Sequence, residues 1–405
     1  MKKVAVIGAG PAGMMAALAA ARGGADVRLL DTNGFPGKKL NITGKGRCNL
    51  TNDCDLDTFM RNVPRGGKFL YGAFSAFPPQ ELMAFFQSRG VRLTVERGRR
   101  VFPESGRARD ITDALAAALG EQGVTVEKAR ARALCFSDGV LSGVDCGQRR
   151  VQAQSVIVAT GGMSYPLTGS DGSGYALAAQ AGHTIVPTEG SLIPLLSPDG
   201  FCAELTGLSL KNVTLSLVSA DGRREWRDGP GELLFTHIGL SGPLVLTASA
   251  HWQKDWDARI DLKPGLTDEQ LDARILRDFR ERGGQTLDNA LRGLLPKSLV
   301  SVILGICEIP PDTRVSAVTR DSRLRLLNAL KAMPVRISGK ADIAEAVITR
   351  GGVDVREVSP KTMESKLVPG LYFAGEVLDA DAYTGGFNLQ IAFCTGYAAG
   401  MSVNS

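Results

Sequence analysis

The chain has 405 residues, of which 44% are hydrophobic and 22% charged, and its formal net charge is +5. That length exceeds one ordinary core, so two or three domains are expected of a globular protein. The charge is too modest to argue for nucleic acid, and no apolar run is long enough to span a membrane. The seven scattered cysteines form no zinc-type pairs, which suits a reducing cytoplasm and gives no reason to expect a metal site.

Lys3 to Ile7 is a β-branched, apolar run of the kind that is buried on both faces of a sheet. It leads into Gly8-Ala9-Gly10-Pro11-Ala12-Gly13, which matches G-x-G-x-x-G, and then into an Ala- and Met-rich helical segment, Met14 to Arg22. Gly23-Gly24 stops that helix, and Asp26 to Asp31 reads as a second strand ending on an acid. Gly8 permits the tight turn, Gly10 lets backbone approach a pyrophosphate, and Gly13 lets helix and strand pack closely. The N-terminus of that helix, which follows Pro11 and Ala12, offers free N–H groups and a positive dipole to phosphates. Asp31 is placed to bond a ribose hydroxyl and to repel a 2′-phosphate. A secretory leader would also begin with lysines and an apolar run, but glycines and a proline interrupt this one. The ordered set points to an adenine dinucleotide site at the N-terminus.

The stretch from Thr32 to Asn52 is too glycine-rich and basic for a core element. It follows the ribose acid directly, so it is expected to run along the rest of the dinucleotide. There its backbone N–H groups, with Lys39 and Arg47, would hold phosphates or an electron-rich ring edge. Cys48 lies in this loop, but its spacing from Cys54 disfavours a disulfide reductase. Helices are expected at 79–89 and 111–119, with short strands between and after them. Gln154 to Ala159 is another buried strand, and Thr160-Gly161-Gly162 at its end is a second point of close backbone approach. Gly169 to Gly174 reads as a turn before an Ala-rich helix.

From about Pro194 the texture changes to strands at 209–219 and 232–236, then helices between Leu266 and Met333, then strands at 335–337 and 343–349. Basic and acidic residues nearly balance in the helical block, which argues against a nucleic-acid stripe. Near the C-terminus, Leu371-Tyr372-Phe373-Ala374 is a buried strand ending in Gly375-Glu376. Gly385-Gly386-Phe387-Asn388-Leu389-Gln390 then opens an apolar helix, read as Ile391 to Met401. An acid after such a strand can bind the polyol chain of a flavin. The helix N-terminus can face the ring and stabilise negative charge that builds on reduction.

The N-terminal βαβ unit, Ala159-Thr160-Gly161-Gly162 and Gly375-Glu376 resemble two-dinucleotide-type FAD flavoproteins. The combination of Gly37-Lys38-Lys39, Gly46-Arg47-Cys48-Asn49-Leu50-Thr51-Asn52, Thr236 to Pro243 and Gly385 to Gln390 resembles the BaiN/YhiN-type flavoproteins, also known as aminoacetone-oxidase-family FAD-binding enzymes. The resemblance covers nearly the whole chain. It implies an α/β fold: a Rossmann-like FAD domain formed by both chain ends (1–193 and 346–405), with an inserted β-barrel-like part (194–265 and 334–345) and a helical part (266–333). It also implies FAD, commonly with a nicotinamide donor, so NADH or NADPH is expected to dock transiently. Thr43-Gly44-Lys45, Phe387 and Ala382-Tyr383-Thr384 depart from the family's usual residues, and these departures bear on substrate more than on FAD.

A flavin carries the electron transfer, and the protein supplies orientation and electrostatics. The expected function is an FAD-dependent oxidoreductase, NAD(P)H-linked, acting on a small organic substrate by hydride transfer through flavin N5. An amine-oxidase-type flavoenzyme, a flavin-holding regulatory protein and an RNA-directed flavoenzyme, the last opposed by the balanced charge of the insert, are the alternatives. His237, in a glycine-flanked turn, is the candidate proton donor, with Tyr165 and Tyr383 as alternatives. Partners are expected to be small molecules, without nucleic acid or membrane.

Overall fold

Five parallel strands bring the two ends of the chain into one sheet. The computed structural model describes residues Met1–Asn404. Its strands are β1 (Lys3–Ile7), β2 (Asp26–Asp31), β3 (Thr125–Lys128), β4 (Ser155–Val158) and β5 (Leu371–Phe373). They lie in the order β5-β4-β1-β2-β3, all parallel. Every residue of β4 and β5 is buried, as is all of β1 beyond Lys3, which explains why their sequences are apolar apart from Ser155 and Lys3. The chain leaves β1 toward β2 on one side and lies against β4 on the other. The C-terminal end of β1 is therefore a topological switch point, the usual ligand position in such sheets.

Helix α1 (Pro11–Arg22) packs along helix α2 (Phe387–Ser402). The contact is backbone on backbone. A Cβ added to Gly396 would sit 2.3 Å from the carbonyl oxygen of Ala12, and one added to Gly400 would sit 2.3 Å from that of Ala16. Helix α2 is buried on nearly every face, so its sequence is apolar all round rather than amphipathic. Sheet and helices belong to one compact unit, Met1–Ser191 with the chain from Asp342 onward, built on one continuous core.

The second unit is Leu192–Ala341, where the sequence reading places an insert at 194–345. It holds a seven-stranded antiparallel sheet and six helices, Phe201–Glu204, Pro243–Ser249, Asp268–Glu281, Leu287–Leu291, Lys297–Ile306 and Arg320–Lys331, around a separate core. The edge strands of that sheet are Met333–Val335 and Gly339–Lys340, with only three residues, 336–338, between them. Four chain steps reach at most roughly 14 Å, whereas the edges of a flat seven-stranded sheet would stand about 29 Å apart. The sheet must curl on itself.

One helix has no counterpart in the sequence reading, and two local expectations need correction. Gly67–Ala76 is helical although it opens on Gly66-Gly67, because Gly66 takes the left-handed conformation (φ 76°) that starts the turn. Residues Ile343–Glu345 form a 3-10 turn, and the strand comes later, at Ile348–Val353. Helix α2 begins at Phe387, four residues before the apolar run suggested.

Candidate functional site

The glycines after β1 differ in their surroundings, and the differences match their expected tasks. A Cβ on Gly13 would lie 1.8 Å from the Gly8 carbonyl oxygen, and one on Gly8 (φ 100°) would lie 2.5 Å from that of Ala159. These two positions hold α1 and β4 against the turn. A Cβ on Gly10 meets nothing within 4 Å, so here the backbone faces open space in front of the start of α1. Pro11 occupies the first helical position, where its missing N–H costs nothing, and Ala12 and Gly13 follow in the same turn. Asp31 sits at the end of β2. Its carboxylate accepts from Ala9 N–H at 2.9 Å and from Asn33 N–H at 2.7 Å, so it ties the glycine turn to the strand end and keeps lone pairs for a hydroxyl donor.

At the other chain end, the 46–52 loop fastens the start of α2. The Asn49 amide, oriented so that both its ends are satisfied, accepts from Gly386 N–H at 3.0 Å and donates to Thr51 O at 3.2 Å. Thr51 Oγ1 donates to Gln390 Oε1 at 2.7 Å, and Gln390 Nε2 donates to Phe77 O at 2.8 Å. Asn52 Nδ2 donates to Gly385 O at 3.1 Å. Asn388 accepts from Ala382 N–H and donates to Ala382 O, at 2.9 and 2.7 Å. The amide side chains of Asn49, Asn388 and Gln390, expected to touch a cofactor, are thus spent on fixing the helix start. A ligand is offered instead the N–H groups of Phe387, Asn388 and Leu389, which have no carbonyl acceptor within the helix. Gly386 (φ 98°) leaves no room for a side chain, since its Cβ would fall 2.3 Å from Thr51 O.

Glu376 is the hub between the two ends. Its carboxylate accepts from Lys39 Nζ at 2.7 Å, from Ser164 Oγ at 3.0 Å and from Thr349 N–H at 2.9 Å. Lys39 Nζ also donates to Ser164 Oγ at 2.7 Å. Gly162 packs against the same group, its Cβ position being 2.8 Å from Glu376 Oε1 and 2.4 Å from Thr349 Oγ1. Gly161 (φ 75°) faces Ser170, Thr160 lines the same turn, and Gly375 (φ 76°) abuts Ala12. Ser164 and Thr349 escaped the sequence reading. Nothing near them in the chain marks them, because both meet Glu376 only through the fold.

Several expected residues are placed differently. Arg47 does not reach toward the glycine turn: it pairs with Glu96 and lies over the Phe102 ring, 4.3 Å from its centroid. Lys39 points to an acid rather than to an open phosphate position. Cys48 and Leu50 are fully buried, so only their backbone can face a ligand, and burial pushes the Cys48 thiol up to about 12 against a weaker opposing bond to Thr43. His237 is exposed at a two-residue hairpin tip of the second unit. Tyr383 is half-buried in the first unit, and its N–H donates to Asn62 O at 2.9 Å.

The open backbone at Gly10, the acid at the end of β2 and the unspent N–H groups of α2 fit a dinucleotide laid across the switch point, with its ring end at α2. The sequence agrees. A family model described as "HI0933-like protein Rossmann domain" matches residues 2–402. The 3-dehydro-bile acid delta(4,6)-reductase of Clostridium scindens is 33% identical over 411 residues, 99% of this chain and 98% of that protein. The ribosomal RNA dihydrouridine synthase of Escherichia coli is 32% identical over 395 residues, 97% of this chain and 96% of that protein. In fold, the chain is like the solved 3-ketosteroid-delta4-(5alpha)-dehydrogenase of Rhodococcus jostii, with a TM-score of 0.51 at 16% identity over 100% of this chain and 97% of that one. The chain belongs to the HI0933-like Rossmann family and is an FAD-dependent oxidoreductase.

Proposed function

We propose that the protein reduces a carbon–carbon double bond conjugated to a carbonyl, with electrons from NADH or NADPH. One observation carries this reading. Two relatives of nearly equal similarity are named for different substrates, a bile acid and ribosomal RNA, yet both names describe one change. A 3-oxo steroid unsaturated at its 4 and 6 positions and the uracil ring each present an alkene polarised by a carbonyl, and each gains two hydrogens. Their shared chemistry is better support than either substrate.

Bound FAD supplies the hydride chemistry, and the chain supplies position and a proton. Gly8, Gly10, Pro11, Ala12 and Gly13 with the start of α1 would hold the pyrophosphate, and Asp31 the ribose. Thr160, Gly161, Gly162, Gly375 and Glu376 would hold the polyol. The N–H groups at the start of α2 would stabilise the charge of the reduced ring. Reduction of an enone also needs a proton at the carbon next to the carbonyl. We assign it to Tyr383, which the Asn388 amide and Asn62 hold beside the α2 start, in preference to His237 on the second unit. Tyr383→Phe is expected to slow reoxidation of the reduced protein by an enone about a hundredfold, at the low end for a positioned general acid.

The test is anaerobic mixing of the yellow protein with NADH or NADPH, followed by addition of a steroid enone, a simple cyclic enone, uridine or an amine. Bleaching by a nicotinamide donor and recovery of colour with any conjugated alkene is the expected result. Bleaching by an amine and no recovery with any alkene would replace this reading with an amine oxidase. A flavin inert to all of them would leave a flavin-holding regulator.

A further inference from the structure

Among the described residues Asp381 carries the most buried carboxylate, 1% exposed. It stands five residues before Gly386, in the segment that carries Tyr383 to the start of α2. Five chain steps reach at most roughly 18 Å. The backbone between is pinned, Ala382 by the Asn388 amide and Tyr383 by Asn62 O.

The partners of Asp381 come from the two-stranded ribbon of Ile185–Ser191 and Ile348–Val353. Oδ2 accepts from Ser191 Oγ at 2.9 Å, while Oδ1 lies 3.5 Å from Arg350 Nε and takes part in no hydrogen bond. Arg350 is shared with Glu189, at 3.4 Å. Arg65, whose backbone bridges that of Asp381, gives its guanidinium to Asp379 at 2.6 Å. Burial pushes the Asp381 carboxyl above the ordinary carboxylate range, against the weaker pull of Arg350, Ser191 and Arg65. Glu376 differs, since Lys39, Ser164 and the Thr349 amide all donate to it. The Ser191 hydroxyl suits either state of its neighbour: it donates to a carboxylate and accepts from a carboxylic acid. Glu189, bonded to the same guanidinium and half exposed, connects the cluster with solvent.

A hydride brings a flavin two electrons and one proton, so the ring end of the site becomes one negative charge richer. Buried charges are weakly screened from one another. Electron and proton binding are then reciprocal: the charge that reduction adds makes the carboxylate hold a proton more tightly. We propose that Asp381 takes up a proton from solvent when the flavin is reduced and returns it when the hydride leaves. An O–H bond forms at the carboxylate, hydronium or water gives up that proton, and no electron passes through the side chain. The proposal rests on bound FAD and not on the identity of the substrate.

The test is potentiometry of the FAD-loaded full chain from about pH 5 to about pH 9. The steepness with which the midpoint potential falls with pH counts the protons taken up with each electron pair. The parent should show a window in which about two protons accompany reduction, and Asp381→Asn about one, which halves the slope there. The spectrum of the reduced protein should stay constant across that window, placing the second proton off the ring. A spectrum that changes with pH there overturns the proposal, and so does an equal slope in parent and variant. A structural role alone would change the melting temperature or FAD affinity of the variant and leave its proton count as in the parent. Ser191→Ala removes a bond that favours the charged carboxylate, so its window should move to higher pH. That variant decides the matter where Asp381→Asn fails to hold FAD, and an unmoved window overturns the proposal. His183→Gln removes another buried titratable group and should leave both slope and window unchanged; loss of the second proton in that variant would assign the uptake to His183 instead.

Discussion

Glu376 and His183 show how single side chains are committed by burial. The Glu376 carboxylate is surrounded by Lys39, Ser164 and the Thr349 amide, and among the described residues Lys39 is the only cation bonded to it. Lys39→Met would leave a half-buried carboxylate short of one partner at the point where the polyol is expected. A drop in FAD affinity of at least tenfold is predicted, read by titrating the apoprotein; unchanged affinity would remove Lys39 and Glu376 from the flavin site. His183 is buried, with Nε2 2.7 Å from Ser365 Oγ and Nδ1 3.2 Å from Glu357. Burial lowers its pKa below the ordinary 6.5, outweighing the nearby Glu357. The unfolded chain therefore takes up a proton at a pH where the folded chain does not. Stability is unaffected by this group above about pH 6.5 and falls as the pH drops below that value toward the folded-state pKa. Denaturant melts between pH 7.5 and 5.5 should show that loss, and His183→Gln should flatten it. An identical pH dependence in the variant would exclude His183 as its source.

At the scale of elements, the crossing of α1 and α2 couples the two chain ends. Gly396→Ala places a methyl group 2.3 Å from a backbone oxygen of α1, which no side-chain movement can relieve. A loss of about 1–3 kcal/mol is predicted, with weaker FAD binding because the start of α1 must shift; calorimetry and flavin titration read the two effects. Full stability in that variant would show that the helices can separate at no cost. The βαβ unit was legible in the sequence because its strand, glycines, helix and acid are local and consecutive. The 46–52 loop was legible as a site but not as a clamp: Thr51 and Gln390 are 339 residues apart, and no local pattern pairs them. The helix at Gly67–Ala76 was hidden by the glycines that begin it, since glycine in a sequence reads as a break whether it ends a helix or starts one.

For the molecule as a whole, the sequence showed a domain built from both chain ends through its two glycine-flanked strand ends, which are useful only if they lie side by side in one sheet. The curl of the second unit's sheet was expected only through the family resemblance, which implies a β-barrel-like part; no periodicity shows it, because it follows from the pairing of two-residue and three-residue strands too short to carry a periodic signal. The two units have separate cores, and every residue assigned to FAD lies in the first. A ligand that binds only folded protein stabilises the structure that forms its site, by about 2.7 kcal/mol at a hundred times its Kd. Scanning calorimetry of the apoprotein is therefore expected to show one transition that rises in temperature as FAD is added. Limited proteolysis during the same titration should assign that transition to the first unit, with cuts between Met1 and Ser191 suppressed before those between Leu192 and Ala341. Protection beginning in the second unit would place residues of that unit in direct contact with the cofactor, and His237 would then displace Tyr383 as the first proton donor to test.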